Sequence, residues 1–183
     1  MTNLLDAGVA ALADNGYQAT RVDDVVRIAG VSHGTFYLYF SNKEDLVREL
    51  AHRCADDMQE LAGQLGDVGS DAAGREELKA WIADFLALYR THGVVIRAWA
   101  EGQVADRKLA RLGRESFRQV RDEFTARFEA EGRSERDAEL RAAALLSMLE
   151  RFAYLVTNRD LGWDDATVLD TLNVVVHRGF FSS

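Results

Sequence analysis

Apolar residues recur along this chain every three or four positions, the period of a helix with one buried face. Leu5, Val9 and Leu12 open the series, and Gly16 stops it as a C-cap. Thr20 with Asp23 forms a capping box for a second helix whose apolar face is Val22, Val25 and Val26. Ala29-Gly30 breaks that helix, and Ser32 is placed to cap a third over residues 33–39. Ser41 with Glu44 predicts the start of a fourth, running to about Leu65. The glycine- and aspartate-rich stretch 66–74 reads as its exit loop.

The second part of the chain continues in the same period. A fifth helix is expected from about Arg75, with Leu78, Trp81, Ile82, Phe85 and Tyr89 as its stripe. Gly93 predicts a break, followed by a sixth helix over 94–104. The seventh covers about 106–131, with Phe117, Val120, Phe124 and Phe128 on one face and Gly132 behind it. Ser134 with Asp137 caps an eighth helix, 135–159, and Asp164 caps the last, 165–181. No alternating strand and no internal repeat is visible. The expected fold class is all-α, with about nine helices. It divides into a three-helix domain at 1–46 and a larger body at 47–183, joined through helix four at about 42–65.

The eighth helix is apolar almost all round between Ala142 and Val156, apart from Ser147, Glu150 and Arg151. The last carries Val168, Leu169, Leu172 and Val174 to Val176. Helices with surplus apolar surface must be covered on more than one side. A homodimer built on a four-helix bundle about a two-fold axis satisfies this. Its expected interface residues are Leu145, Leu149, Phe152, Leu169, Leu172, Val176 and Phe180. A hairpin fully buried within one chain is the alternative.

Helices two and three, separated by a tight glycine turn, form a helix-turn-helix, whose second helix enters the DNA major groove. The N-terminal end of such a helix must offer small polar groups to base edges, with phosphate donors at its flanks. His33, Gly34 and Thr35 stand at that end. Thr35 brings a hydroxyl and a methyl, suited to a base edge or a thymine methyl. Tyr37 can reach a phosphate or a base, and Lys43 sits in the first turn of helix four, where it and the helix N-terminus can act on one phosphate. Phe36 and Phe40 share a face and should hold the helix to its domain.

Charge and composition narrow the picture. The net charge is −8, and residues 1–50 hold Arg21, Arg27, Lys43 and Arg48 against Asp6, Asp14, Asp23, Asp24, Glu44, Asp45 and Glu49. DNA affinity resting on cation–phosphate contacts must therefore come from a few well-placed donors. The chain contains no proline, in keeping with long helices, and its single cysteine, Cys54, cannot form an internal disulfide. No apolar run is long enough to span a bilayer, and no basic residue precedes Asp6, so neither a membrane span nor a signal peptide is expected. A cytoplasmic protein follows. Gly30-Val31-Ser32-His33-Gly34 matches the G-x-S-x-G nucleophile elbow, but that motif needs a preceding strand and here follows a helix. His52 and Asp56 are helical neighbours beside Cys54 and Asp57, and one such pair makes a surface ion pair rather than a metal site. No catalytic residue, metal or cofactor is expected.

Residues 16–46 resemble the N-terminal domain of the TetR family of bacterial repressors. The resemblance rests on Gly16, Tyr17, Thr20, Val22, Ala29-Gly30-Val31-Ser32, Gly34-Thr35-Phe36-Tyr37, Tyr39-Phe40, Lys43 and Leu46. It implies DNA contacts at Thr20, Ser32, His33, Gly34, Thr35, Tyr37, Tyr39 and Lys43. It further implies an Ω-shaped all-helical dimer joined by its last two helices, with a small-molecule pocket within helices four to eight controlling the spacing of the heads. Trp81, Phe85, Tyr89, Trp99, Glu101, Phe117, Phe124, Met148 and Phe152 are the expected pocket residues, suited to a hydrophobic or aromatic ligand. Two departures stand out. Met1-Thr2-Asn3 runs straight into Leu4-Leu5 without the basic arm that usually precedes the first helix, so either the arm is missing or the start is assigned too late, and Val26 replaces the more usual alanine. The expected function is a homodimeric repressor that binds a two-fold symmetric operator and is released by a small-molecule effector. A ligand-binding dimer of the same fold, acting through protein contacts, is the alternative.

Overall fold

The computed structural model describes residues 2–66, 68–100, 106–159 and 161–181, with the side chains of Thr2 and Ala100 left aside. Its elements are α1 (Thr2–Ala19), α2 (Val22–Ala29), α3 (His33–Tyr39), α4 (Lys43–Gln64), α5 (Ala72–Ala100), α6 (Arg107–Ala130), α7 (Glu135–Asn158) and α8 (Asp165–Val176). A π-helical turn, His177–Phe181, closes the described chain. There is no strand among the described residues, so the fold is all-α.

Among the described residues there are eight helices rather than nine, because α5 runs unbroken through Gly93 to Ala100; the rest of the expected sixth helix, 101–104, lies outside the described residues. A glycine inside a helix costs about 1 kcal/mol relative to alanine. Here His92, Val95 and Ile96 are buried beside it, and that packing carries the helix across. Three starts also differ from expectation. Asp71 caps α5, its Oδ1 accepting from the Gly74 N–H at 2.9 Å, so the helix begins at Ala72, three residues before the expected Arg75. Asn42 rather than Ser41 caps α4: its Oδ1 accepts from the Asp45 N–H at 2.8 Å, while the Asp45 carboxylate accepts from the Ser41 N–H at 3.1 Å. Arg21 rather than Thr20 stands at the N-cap of α2. The caps at Ser32, Ser134 and Asp164 form as expected, each accepting from the backbone N–H three residues on.

The chain folds as two compact units. The first, residues 1–55 and 91–113, contains α1 to α3, the start of α4, the end of α5 and the start of α6. It therefore reaches past residue 46. Its core includes Leu4, Leu5, Leu12, Val25, Phe36, Leu46 and Leu50. Gly8 lies where a Cβ would stand 2.7 Å from Leu46 Cδ2, so α1 can approach α4 only without a side chain there.

The second unit, residues 56–90 and 114–183, has a core of Leu78, Trp81, Ile82, Tyr89, Phe124, Phe128, Leu145, Leu149, Leu172 and Val176. Within it the end of α4 is held by two side chains. Trp81 Nε1 donates to the Leu61 carbonyl at 2.7 Å, and Arg127 donates to the carbonyls of Gly66 at 3.0 Å and Ala62 at 3.2 Å. The last carbonyls of a helix have no partner within it, and a cation there also meets the negative end of the helix dipole. Arg127→Met should therefore lower stability by about 2 kcal/mol, the range for hydrogen bonds to a charged group. Urea denaturation checks this, and an unchanged midpoint would mean water replaces the guanidinium without loss.

Candidate nucleic-acid interface

The interface is built on a turn that only a few residues can make. Gly30 takes a left-handed conformation, φ 66° and ψ 31°, which costs residues with a Cβ 1–2 kcal/mol or so. There the Val31 N–H donates to the Val26 carbonyl at 3.1 Å, closing α2 in a Schellman-type pattern. Asn3 Nδ2, from α1, donates to the Ala29 carbonyl at 2.9 Å and ties the turn to the first helix. Gly16, at φ 73°, makes the corresponding bend near the end of α1.

Ser32 then starts α3. Its Oγ accepts from the Thr35 N–H at 3.1 Å and lies 3.0 Å from the Thr35 hydroxyl. Phe36 and Phe40 are buried with their rings 5.6 Å apart, so α3 is held by this face. Ser32, His33, Gly34, Tyr37 and Tyr39 are exposed, and Thr35 is half-buried. Six of the expected contact residues thus share one accessible segment.

Lys43 is half-buried and already engaged. Its ammonium donates to the Tyr17 carbonyl at 2.9 Å and lies 4.9 Å from the centre of the Tyr17 ring. Burial, and then the carboxylates of Glu44 and Asp106, raise the pKa of Tyr17, so the phenol stays protonated at neutral pH.

Thr20 departs from expectation. It is 2% exposed, and its hydroxyl lies 2.7 Å from the Gly16 carbonyl and 3.0 Å from the Ala11 carbonyl. It joins α1 to the start of α2 and presents no group to solvent. Arg21, the next residue, is exposed, free of ion pairs among the described residues, and stands at the N-cap of α2. Leu38 was also not anticipated. It is 81% exposed, on the same short helix as Tyr37 at 56%. An isolated leucine would ordinarily pass unnoticed; here it shares the exposed face of α3 with Tyr37 and Tyr39.

The charge on this unit is largely paired within it. Arg27 lies 3.6 Å from Asp24, Arg48 donates to Asp45 at 2.9 Å, and His33 Nε2 is 2.6 Å from Asp23 Oδ1. These pairs are solvent-exposed and weak, so an approaching phosphate can displace the carboxylates.

The expected pocket residues fall in two places. Trp81, Phe85, Tyr89, Phe117, Phe124, Met148 and Phe152 belong to the second unit, and Trp99 belongs to the first. Glu101 lies outside the described residues. Trp81 stacks on Phe85 at 5.8 Å and meets Phe124 edge-on at 5.5 Å. The Tyr89 hydroxyl donates to Glu150 Oε1 at 3.2 Å, which brings a half-buried carboxylate to the aromatic group. Glu150 was legible only as the acid interrupting the apolar run of α7.

The expected dimer residues divide as well. Leu145, Leu149, Leu172 and Val176 are buried in the chain's own core and have no surface left for a partner. Phe152, Leu169 and Phe180 are half-buried. The apolar side chains that α7 and α8 leave open are others: Leu140 is 69% exposed and Val175 50%.

Residues 4–50 match the family model of bacterial regulatory proteins, tetR family. The fatty acid metabolism regulator protein of Bacillus subtilis is 34% identical over 90 residues, covering 46% of this chain and 43% of that protein. The HTH-type transcriptional repressor KstR2 of Rhodococcus jostii is 37% identical over 96 residues, 51% of this chain and 46% of that one. The chain thus spans about half the length of these curated relatives. Among solved structures, the MbdR regulator from Azoarcus sp. CIB superposes with a TM-score of 0.77 at 18% identity, covering 98% of this chain and 97% of that one. The FadR regulator of Bacillus subtilis, in complex with stearoyl-CoA, gives 0.69 at 19% identity, covering 98% of each chain. These two show a shared fold.

Thr20→Val should lower stability by about 1 kcal/mol through the lost hydrogen bond, and leave the DNA affinity of the folded protein unchanged. Thermal melting read beside DNA binding tests this. Weaker DNA binding at unchanged stability would put Thr20 back at the interface.

Proposed function

We propose that this chain, which belongs to the tetR family of bacterial regulatory proteins, is a sequence-specific DNA-binding transcription regulator that works as a homodimer. We read it as a repressor released from its operator by a small hydrophobic or aromatic ligand. The observation that carries the reading is α3. Seven residues are anchored by Phe36 and Phe40 and capped by Ser32, and the opposite face carries His33, Gly34, Tyr37, Leu38 and Tyr39 to solvent.

In this reading Thr35 and Leu38 read base edges, while Arg21, Tyr37, Tyr39 and Lys43 contact phosphates or sugars. The ligand is supported by the aromatic group of the second unit, where Tyr89 and Glu150 supply polar contacts. FadR of Bacillus subtilis, similar in fold, is in complex with stearoyl-CoA, a molecule with a long apolar chain. The dimer is supported by the apolar side chains α7 and α8 leave exposed, Leu140 and Val175 among them. A ligand that favours one spacing of the two heads shifts DNA affinity by the ratio of its affinities for the two states.

Selection of bound duplexes from a random pool at low salt should yield a two-fold symmetric sequence. Failure to enrich any sequence would overturn the DNA-binding reading. On the selected duplex, Arg21→Ala should weaken binding to all sequences alike and reduce the salt slope by about 1. Leu38→Ala should instead relax preference at a single thymine position; a loss spread evenly over all sequences would contradict base readout by that side chain. Val175→Glu should shift sedimentation toward the monomer without unfolding the chain, and an unaltered dimer would place the interface elsewhere.

A further inference from the structure

A candidate anion site lies in the second unit, where the loop ahead of α5 meets the end of α8. Ser70, Asp71 and Arg75 line one side of a cavity of about 260 Å³, and Val174, His177 and Arg178 line the other. The cavity shares no lining residue with the aromatic group of this unit. Its volume lies just below the roughly 300–1,000 Å³ of drug-sized ligand sites, which selects a compact ligand.

The loop that floors the cavity is held in three ways. Gly74 has no side chain, and a Cβ there would overlap the Gly69 backbone, so the loop lies directly on α5. The buried His177 donates from Nε2 to the Gly69 carbonyl at 3.0 Å, across 108 residues of chain. Asp71 Oδ1 accepts from the Gly74 N–H at 2.9 Å. The far wall is the π-helical turn His177–Phe181. Such turns are rare and concentrate at functional sites. This one buries His177 and Phe181, with the Phe128 ring 5.6 Å from that of Phe181, and leaves Arg178 exposed.

Two cations thus face one small, fixed space. Neither the Arg75 nor the Arg178 guanidinium has an ion pair or hydrogen bond among the described residues. Arg90 and Arg141, in the same unit, each take a carboxylate. Asp71 is the one carboxylate among the described residues that line the cavity, and it already caps α5. The helix end is therefore satisfied, and the guanidiniums rather than the helix terminus make the site. Like charges brought together repel, and an anion between them removes that cost. The planar guanidinium fork matches phosphate oxygens. We propose that this cavity binds a phosphate group, as the free ion or a small phosphate monoester, between Arg75 and Arg178, with the Ser70 hydroxyl as a further donor. Occupancy ties the start of α5 to the turn that ends α8. None of this rests on the DNA-binding reading.

Titration calorimetry on the full chain tests the site. The probes are inorganic phosphate and glycerol 3-phosphate, with succinate beside them and sodium chloride holding the ionic strength constant. Saturable binding of one phosphate per chain is expected. Arg75→Gln and Arg178→Gln should each weaken it about tenfold, the loss of one charge-assisted hydrogen bond. Ala72→Glu adds a carboxylate to the lining at a helix start that favours one, and should abolish binding without lowering the melting temperature. Arg136→Gln removes an exposed arginine of α7 that does not line the cavity, and should leave binding unchanged. An equal loss in that variant would mean an ion held by net charge only and would overturn the proposal, as would the absence of saturable binding at millimolar phosphate. Succinate binding as tightly as phosphate would overturn the assignment to a phosphate group. Tighter binding of glycerol 3-phosphate than of the free ion would identify an organic phosphate as the source, and the reverse order would identify the inorganic ion.

Discussion

A seven-residue helix has no stability of its own in water, because nucleating the first turn costs more than so few hydrogen bonds return. The α3 helix exists because its surroundings hold it. Phe36 and Phe40 are buried within the first unit, Ser32 accepts from the Thr35 amide, and the left-handed Gly30 turn brings α3 off the end of α2. Asn3 reaches back from α1 to the last carbonyl of α2, so even that turn is fixed from a third helix. This anchoring leaves only the opposite face free. That face carries small polar residues, two tyrosines and one leucine, of which Gly34, Leu38 and Tyr39 are exposed, while Tyr37 also meets the buried Phe36 edge-on at 5.4 Å.

The acidic balance of the chain sets a second constraint. With a net charge of −8, the chain has no broad basic field to gather DNA. Arg27, Arg48 and His33 each face a carboxylate, and Lys43 faces the Tyr17 carbonyl. These partners orient the donors and also attenuate them. Such an arrangement favours specificity over affinity. A loosely placed phosphate gains little from cations already in contact, whereas a well-registered duplex replaces several of those contacts at once.

The sequence was most legible where structure is local. Ser32, Ser134 and Asp164 each cap the helix expected of them, because a cap needs only its own side chain and the amide three residues on. The bounds of α3 were likewise readable from Ser32 and the aromatic spacing. Legibility failed where a neighbour in space decides. Gly93 does not break α5, since buried residues on either side of it hold the helix. Thr20 looked like a cap or a contact but is enclosed by α1. The apolar surplus of α7 and α8 was visible, but periodicity cannot say which face the chain keeps for itself. It keeps Leu145, Leu149, Leu172 and Val176, and leaves Leu140 and Val175 outside.

The same distinction between local and spatial constraint applies to Trp81. Trp81 has two roles that one indole cannot separate. Its ring is part of the aromatic group, stacked on Phe85 and edge-on to Phe124. Its N–H holds the Leu61 carbonyl near the end of α4, where Arg127 holds Ala62 and Gly66. A rearrangement of those rings cannot leave the Leu61 hydrogen bond as it was, because the indole is rigid and the bond is directional. The helix affected begins at Lys43, 22 residues long and covalently continuous. The aromatic residues of the second unit are therefore better understood as two sets. Phe85 and Phe124 are held there by ring contacts, whereas Trp81 is also tied by a directional bond to the helix it holds.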